Sequence, residues 1–308
     1  KLAERGHGTM GNAVPYGECG PPKQECCHEE CAGGRDVIVT PKECPDAQVL
    51  LFAGGTRYEG QWQGEQRHGS GVLMEPEHGT YTGQFNCNLR HGIGRQAYSN
   101  GTIYEGQYRA DNKHGRGRLY CPPKIGLTGD KTEGSCYEGE WAFDLQEGTG
   151  TETWFDGSAF QGTFVKGMKH GFGTFKWSDS CHYNGQFAEN QMHGTGTFTW
   201  EDGRTYMGQW ENNAMHGKGV VKYADGRQYE GQFSEGKKHG LGTMTWPDTK
   251  VYCGQWQFGV QHGVGVLRHM GGPGSVGEWQ HGQWTRWMPD AEPLAMISEM
   301  SEEVQELS

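Results

Sequence analysis

Residues 183–205 read Tyr-Asn-Gly-Gln-Phe, then Ala-Glu-Asn-Gln, then Met-His-Gly-Thr-Gly-Thr-Phe-Thr-Trp, then Glu-Asp-Gly-Arg-Thr. The stretch is one copy of a unit that opens on Tyr-x-Gly-x-aromatic, reaches His-Gly-x-Gly ten residues in, and closes on Asp-Gly. Openings fall at Tyr58, Tyr81, Tyr104, Tyr137, Phe160, Tyr183, Tyr206, Tyr229 and Tyr252, and a worn tenth copy starts at Ser275. The step is 23 residues everywhere except between Tyr104 and Tyr137, where it is 33. A fixed period of this kind marks a repeat array.

Within each unit the side chains alternate with period two. Tyr183, Gly185 and Phe187 share one face, and Gly194, Gly196, Phe198 and Trp200 share one face of the following segment. Thr195, Thr197 and Thr199 take the opposite side. Such alternation predicts half-buried β-strands. The sequence predicts two strands per unit, joined by a loop of about six residues at 188–193. Units are then linked by Asn100-Gly101, Asp156-Gly157, Asp202-Gly203 or Asp225-Gly226, pairs that favour a type I′ hairpin turn. The expected fold is all-β: an elongated single-sheet antiparallel meander of about ten hairpins, on the order of 90–100 Å long at ~4.8 Å per strand. A glycine on the aromatic face leaves a gap that a ring from the next strand can cover.

Bulk composition agrees. Glycine contributes 53 of 308 residues at fixed places, whereas hydrophobic residues are only 33%, too few for a thick two-layer core. The net charge of −11 argues against nucleic acid as the main partner. The longest apolar run, residues 49–53, is too short to cross a bilayer, so no transmembrane segment is expected. No cleavable signal is visible, and a start at Lys1 suggests that an N-terminal segment is missing. Ten cysteines at unmatched repeat positions predict mostly reduced thiols in an intracellular protein.

Three segments follow: a Cys-rich extension over 1–48, the array over 49–284, and an acidic tail over 285–308. Cys19, Cys26, Cys27, His28, Cys31 and Cys44 lack a clear second close pair, which favours an extended, partner-bound or capping segment over zinc. Residues 49–57 resemble the second half of a unit and supply the first strand. In the tail, Leu294, Ile297, Met300, Val304 and Leu307 are spaced for one helical face after Pro293. They predict a short amphipathic helix that caps the array or docks on a partner.

Tyr58-Glu59-Gly60-Gln61-Trp62, the Arg-His-Gly-x-Gly that follows, and the 23-residue step resemble MORN (membrane occupation and recognition nexus) repeats over about residues 50–284. Such arrays occur in ciliary radial spoke heads, junctophilins, cytoskeletal scaffolds of apicomplexans and trypanosomes, and beside plant phosphatidylinositol phosphate kinases. The resemblance implies a nonenzymatic scaffold binding other subunits of a larger cytoskeletal or axonemal assembly, in the cytoplasm, cytoskeleton or cilium. Phosphoinositide binding is the alternative it implies, with Lys166/Lys169 and Lys237/Lys238 as anionic-lipid candidates. A regulatory subunit of an enzyme on another chain is a third.

Two departures from the repeat coincide. An insertion lies within 121–136, and Gln146-Glu147-Gly148 replaces the usual His-Gly. Pro122, Pro123, Lys124, Ile125, Leu127 and Glu147, with the tail positions above, are therefore the candidate partner-binding residues. No catalytic, cofactor or metal residue is expected. His68, His91, His114, His170, His193, His216, His239 and His262 share one repeat position. Neighbours two strands apart, roughly 9–10 Å, do not easily share a metal. Residues 272–277 match a dinucleotide fingerprint in letters but sit in the worn opening strand, the wrong context. Trp62, Trp141, Trp200, Trp210 and Trp256 are expected to serve sheet packing.

Overall fold

A computed structural model describes residues 47–125, 131–132, 134–270 and 272–288. The cysteine set of the N-terminal extension, Leu127 and the expected tail helix lie outside them. The strands are β1 (Gln48–Leu51), β2 (Arg57–Gln63), β3 (Gln66–Glu75), β4 (Gly79–Asn86), β5 (Leu89–Ala97), β6 (Ile103–Arg109), β7 (Asn112–Cys121), β8 (Lys124–Ile125), β9 (Lys131–Thr132), β10 (Ser135–Ala142), β11 (Leu145–Trp154) and β12 (Ala159–Val165). They continue as β13 (Met168–Lys176), β14 (His182–Ala188), β15 (Gln191–Thr199), β16 (Thr205–Glu211), β17 (Ala214–Lys222), β18 (Gln228–Ser234), β19 (Lys237–Thr245), β20 (Lys250–Gln257), β21 (Val260–His269), β22 (Ser275–Gln280) and β23 (Gln283–Trp287). Twenty-one belong to one open sheet; β8 and β9 form a separate pair. Every described pairing is antiparallel and joins strands next to each other along the sheet. No α-helix occurs among the described residues.

The chain divides into two compact units, one holding residues 47–156 with Phe164–Gly167, the other Gly157–Thr163 with residues 168–288. Each is built the same way. The opening tyrosine of each repeat is at most 2% exposed, from Tyr58 through Tyr252, and Phe160 fills the same place. The ring lies over a pair of glycines, one two residues ahead on its own strand and one opposite it on the next. Gly208 pairs with Gly219 beneath Tyr206, and a Cβ on Gly219 would stand 2.5 Å from the ring. Each ring therefore covers one glycine on its own strand and one on the neighbouring strand. Its hydroxyl donates to the backbone carbonyl three residues on, at 2.7–3.0 Å in all eight tyrosines.

The second aromatic of each repeat locks successive tyrosines together. In the first unit Tyr58, Phe85, Tyr81, Tyr108, Tyr104, Trp141 and Tyr137 meet edge to face, with centroids 5.1–5.4 Å apart. In the second, the column runs Phe160, Phe187, Tyr183, Trp210, Tyr206, Phe233, Tyr229, Trp256, Tyr252 and Trp279. Edge-to-face contact sets the positive ring edge on the negative face. The buried Trp141, Trp210 and Trp256 also donate their indole N–H to glycine carbonyls of the neighbouring strand at 2.9–3.2 Å. Trp62 and Trp200 are only partly buried.

The turns differ from the sequence expectation. Residues 188–193 do not form a six-residue loop: β14 and β15 meet at a two-residue turn, Glu189-Asn190, with φ of 49° and 68°. Asp202-Gly203 sits instead in the longer connection, where Gly203 N donates to Trp200 O at 3.0 Å and Trp200 N to Arg204 O at 2.9 Å. Of that pair only Gly203 is left-handed, at φ 80°. The tight turn tolerates positive φ without glycine because Asn suits that region. Its side chain also stitches the tip to the previous repeat: Lys169 N donates to Asn190 Oδ1 at 2.8 Å, and Asn190 N returns to Lys169 O at 3.1 Å.

Replacing Gly219 by Ala, where no positive φ is required, should cost about 1–3 kcal/mol through overpacking against Tyr206. Urea unfolding of the single variant checks this; an unchanged midpoint would contradict the packing described.

Candidate functional site

The sheet has two chemically different faces. One carries the ring column. On the other, side chains project outward with little to cover them. One row across the first unit is Glu59, Val72, Thr82, Arg95, Glu105, Arg118, Glu138 and Thr151, each opposite the next. Arg95 and Glu105 pair at 2.8 Å, and Arg118 Nε donates to Cys136 Sγ at 3.1 Å. In the second unit the row runs Thr174, Asn184, Thr197, Met207, Val220, Glu230, Thr243 and Cys253, and ends on Val266, which is buried. Met207 is 58% exposed here and Phe172, on the same face, 66%. The ring face repeats; this face changes at every step.

His-Gly-x-Gly is a structural device. At each described copy the register slips after the glycine pair, as between Gly208 and Gln209. The first glycine of the motif takes a left-handed φ, 54° at Gly217. A Cβ there would collide with Gln209 Oε1. That glutamine oxygen accepts the next backbone N–H, Lys218 N, at 2.8 Å. Gln61, Gln84, Gln107, Gln186, Gln232 and Gln255 do the same at 2.8–3.1 Å. Sequence reading missed these glutamines, although their recurrence between Gly and the second aromatic in seven copies was the available signal. In the fifth copy Thr163 stands there and instead donates its hydroxyl to Phe172 O at 3.3 Å.

The histidines lie beside the tight turns. His114 meets Phe143 at 5.5 Å and His262 meets His281 at 5.9 Å between ring centroids. His216 Nδ1 is 3.3 Å from Glu211 Oε2. Burial and then Arg109 hold the pKa values of His91 and His114 below the usual imidazole range. Among the described residues no three His, Cys, Asp or Glu converge as metal ligands. An open groove of about 300 Å³ lies between His239 and His262, floored by Leu241, Gln255, Trp256 and Gln257.

The sequence-predicted partner residues are not brought together. Pro122 and exposed Pro123 follow the end of β7, which lies beside the end of β11, because Ser135 pairs with both Cys121 and Trp154. Glu147 sits at the start of β11, the opposite end, where its Oε2 accepts Lys166 N at 2.9 Å. It thus steadies the next turn. Lys124 and Ile125 pair with Thr132 and Lys131 in the small β8–β9 hairpin. Of the lipid candidates, Lys169 is 5% exposed and stacks over Phe160 at 5.2 Å. Lys238 lies over Tyr223, Tyr229 and Trp256. Each expected lysine pair therefore has one member turned to the rings.

A glycine-spaced, ring-stacked antiparallel meander defines a β-repeat protein. The MORN repeat matches nine times, at residues 58–74, 81–103, 104–124, 137–159, 160–182, 183–203, 206–226, 229–250 and 252–271. The matches cover more than half of the sequence, and the chain belongs to the MORN-repeat family, whose repeat is a non-catalytic module. Among curated proteins none matches significantly. Among solved structures, the SAS-4 (dCPAP) TCP domain of Drosophila melanogaster, in complex with a proline-rich motif of Ana2, is 11% identical, covering 60% of this chain and 89% of that one with a TM-score of 0.30. A streptogramin B lyase is 9% identical, covering 81% and 86%, with a TM-score of 0.14. Likenesses this slight carry nothing about fold or function. No helix among the described residues is long and apolar enough to cross a membrane.

Thr163→Gln should restore the missing bulge hydrogen bond and raise stability by about 0.5–1.5 kcal/mol. Thermal unfolding checks it, and a lowered midpoint would contradict the role assigned to the glutamines.

Proposed function

We propose that the chain is a nonenzymatic scaffold that holds other protein subunits on its outward face, within a cytoskeletal or axonemal assembly of the radial-spoke kind. The observation that carries the reading is the division of labour between faces. Rings and glycines recur unchanged on one side, while the outward row differs from repeat to repeat and includes exposed Phe172 and Met207. Exposed apolar residues set among polar ones suit a protein contact. The assembly type rests on where other MORN arrays occur. The inward placement of Lys169 and Lys238 counts against a lysine-clamped lipid headgroup.

Phe172→Glu together with Met207→Glu should leave the melting temperature within a few degrees and reduce partner recovery at least tenfold in crosslinking of cytoskeletal extract. Crosslinks that map to the tails alone, with recovery unaffected, would contradict the outward face as the docking side.

A further inference from the structure

One position in the repeat is a platform for cations. At the start of the second strand it holds Arg67, Arg90, Lys113, Gln146, Lys169, Met192, Met215, Lys238 or Gln261. The basic members stack on the ring column, as a cation over a ring quadrupole should. Arg67 lies 5.4 Å from the centroid of Phe85, and Arg90 lies 5.3 Å from that of Tyr108. In most of these copies the turn of the next repeat supplies an oxygen. Arg67 Nη2 donates to Asn88 O at 3.0 Å. Arg90 Nε meets Asp111 Oδ1 at 3.1 Å, and Lys113 Nζ meets Asp144 Oδ1 at 3.7 Å.

Lys238 differs. Three rings surround its amine, with centroids at 5.4 Å for Tyr223, 5.0 Å for Tyr229 and 4.8 Å for Trp256. The turn residue opposite is Gly259, which supplies only its backbone N–H, to Lys238 O at 2.9 Å. The carboxylate of Asp225, which acts on Tyr223, is taken by Arg227 at 2.7 Å. That guanidinium also sits over Tyr223, at 4.9 Å, so two cations share one ring. Among the described residues no carboxylate pairs with Lys238. A Cβ built on Gly259 meets nothing within 4 Å, so space is open beside the turn.

Burial without a counter-ion favours the neutral amine. Burial weakens the ammonium most and Arg227 adds repulsion, which together bring the Lys238 pKa down to about 8. The ring faces attract the charged form here as they do at the other stacked cations; what Lys238 lacks is the oxygen that Arg67, Arg90 and Lys113 gain from the next turn. An amine with this pKa has a sizeable neutral, nucleophilic fraction near pH 8.

We propose that Lys238 is an acyl-acceptor site, taking a short acyl group such as acetyl from a thioester donor. The amine lone pair attacks the thioester carbonyl carbon. A C–N bond forms, the C–S bond breaks, and the departing thiolate takes up the proton lost by nitrogen. The product is an amide and a free thiol. The acyl-lysine is uncharged, so it removes an unpaired cation from beside Arg227 and keeps an apolar group over the rings. The open space at Gly259 receives the added atoms.

The test is incubation of the full chain with acetyl-coenzyme A at pH 8, with site occupancy followed by peptide mass spectrometry. Lys238 should acetylate on the order of tenfold faster than its exposed neighbour Lys237, and faster than Lys113, whose ammonium burial also weakens but whose Asp144 carboxylate opposes the shift. Gly259→Asp restores the counter-ion that Asp144 gives Lys113, at a turn position where Asp is already tolerated. Its Lys238 rate should fall to about that of Lys113, with the β-sheet circular dichroism unchanged. A Lys238 rate no greater than that of Lys237, or a rate unaltered by Gly259→Asp in a folded chain, overturns the proposal.

Discussion

Each of nine repeats opens with an aromatic ring, tyrosine in all but the Phe160 copy, that lies flat across two glycines facing each other on adjacent strands. A single sheet has no second layer to bury its apolar face, so it must cover itself. The glycine pair removes the two Cβ atoms that would hold the ring off the backbone. The ring then reaches the sheet surface, and each tyrosine hydroxyl satisfies a backbone carbonyl of its own strand. Burial of ~150–250 Å² per aromatic is then available without a second sheet or a helix. Edge-to-face contact with the second aromatic transmits the arrangement to the next repeat, so stability accrues from neighbour to neighbour as in other repeat arrays.

Dependence on the rings frees the opposite face. Nothing in the strand ladder fixes the identity of Arg95 and Glu105, which pair with each other at the surface, or of exposed Met207 and Phe172. The turns, in contrast, are constrained: the Asn or Asp of each tip accepts a backbone N–H from the repeat before it, as Asn88, Asp111, Asp144, Asn190 and Asn213 do. A repeat whose tip is glycine loses that acceptor. At Lys238 the loss falls beside a stacked amine, and reactivity is a local consequence of an irregularity in an otherwise regular ladder.

Much of this was legible in the sequence. The 23-residue step and the shared parity of Tyr183, Gly185 and Phe187 give strands, one-sided burial and ring-over-glycine packing directly. The turns were assigned the wrong way round, because Asp-Gly is the stronger local signal and Glu189-Asn190 gains its left-handed geometry from a partner 21 residues earlier. The bulge at His-Gly, and the glutamine that fills it, depend on two strands meeting with a register slip, which no single segment encodes. Pro122 and Glu147 looked like one site because they are close in the chain. Antiparallel pairing sets them at opposite strand ends. The surroundings of Lys238 combine a loop, two strands and the next turn, and only the folded ladder assembles them.

The most direct measurement is a double-mutant cycle on Tyr206 and Gly219 by equilibrium unfolding. Gly219→Ala should be destabilising when Tyr206 is present and neutral or stabilising when Tyr206→Ala has removed the ring, a coupling of at least ~1 kcal/mol. Additive effects, with the glycine substitution equally costly in both backgrounds, would contradict a sheet stabilised by rings seated on glycine pairs.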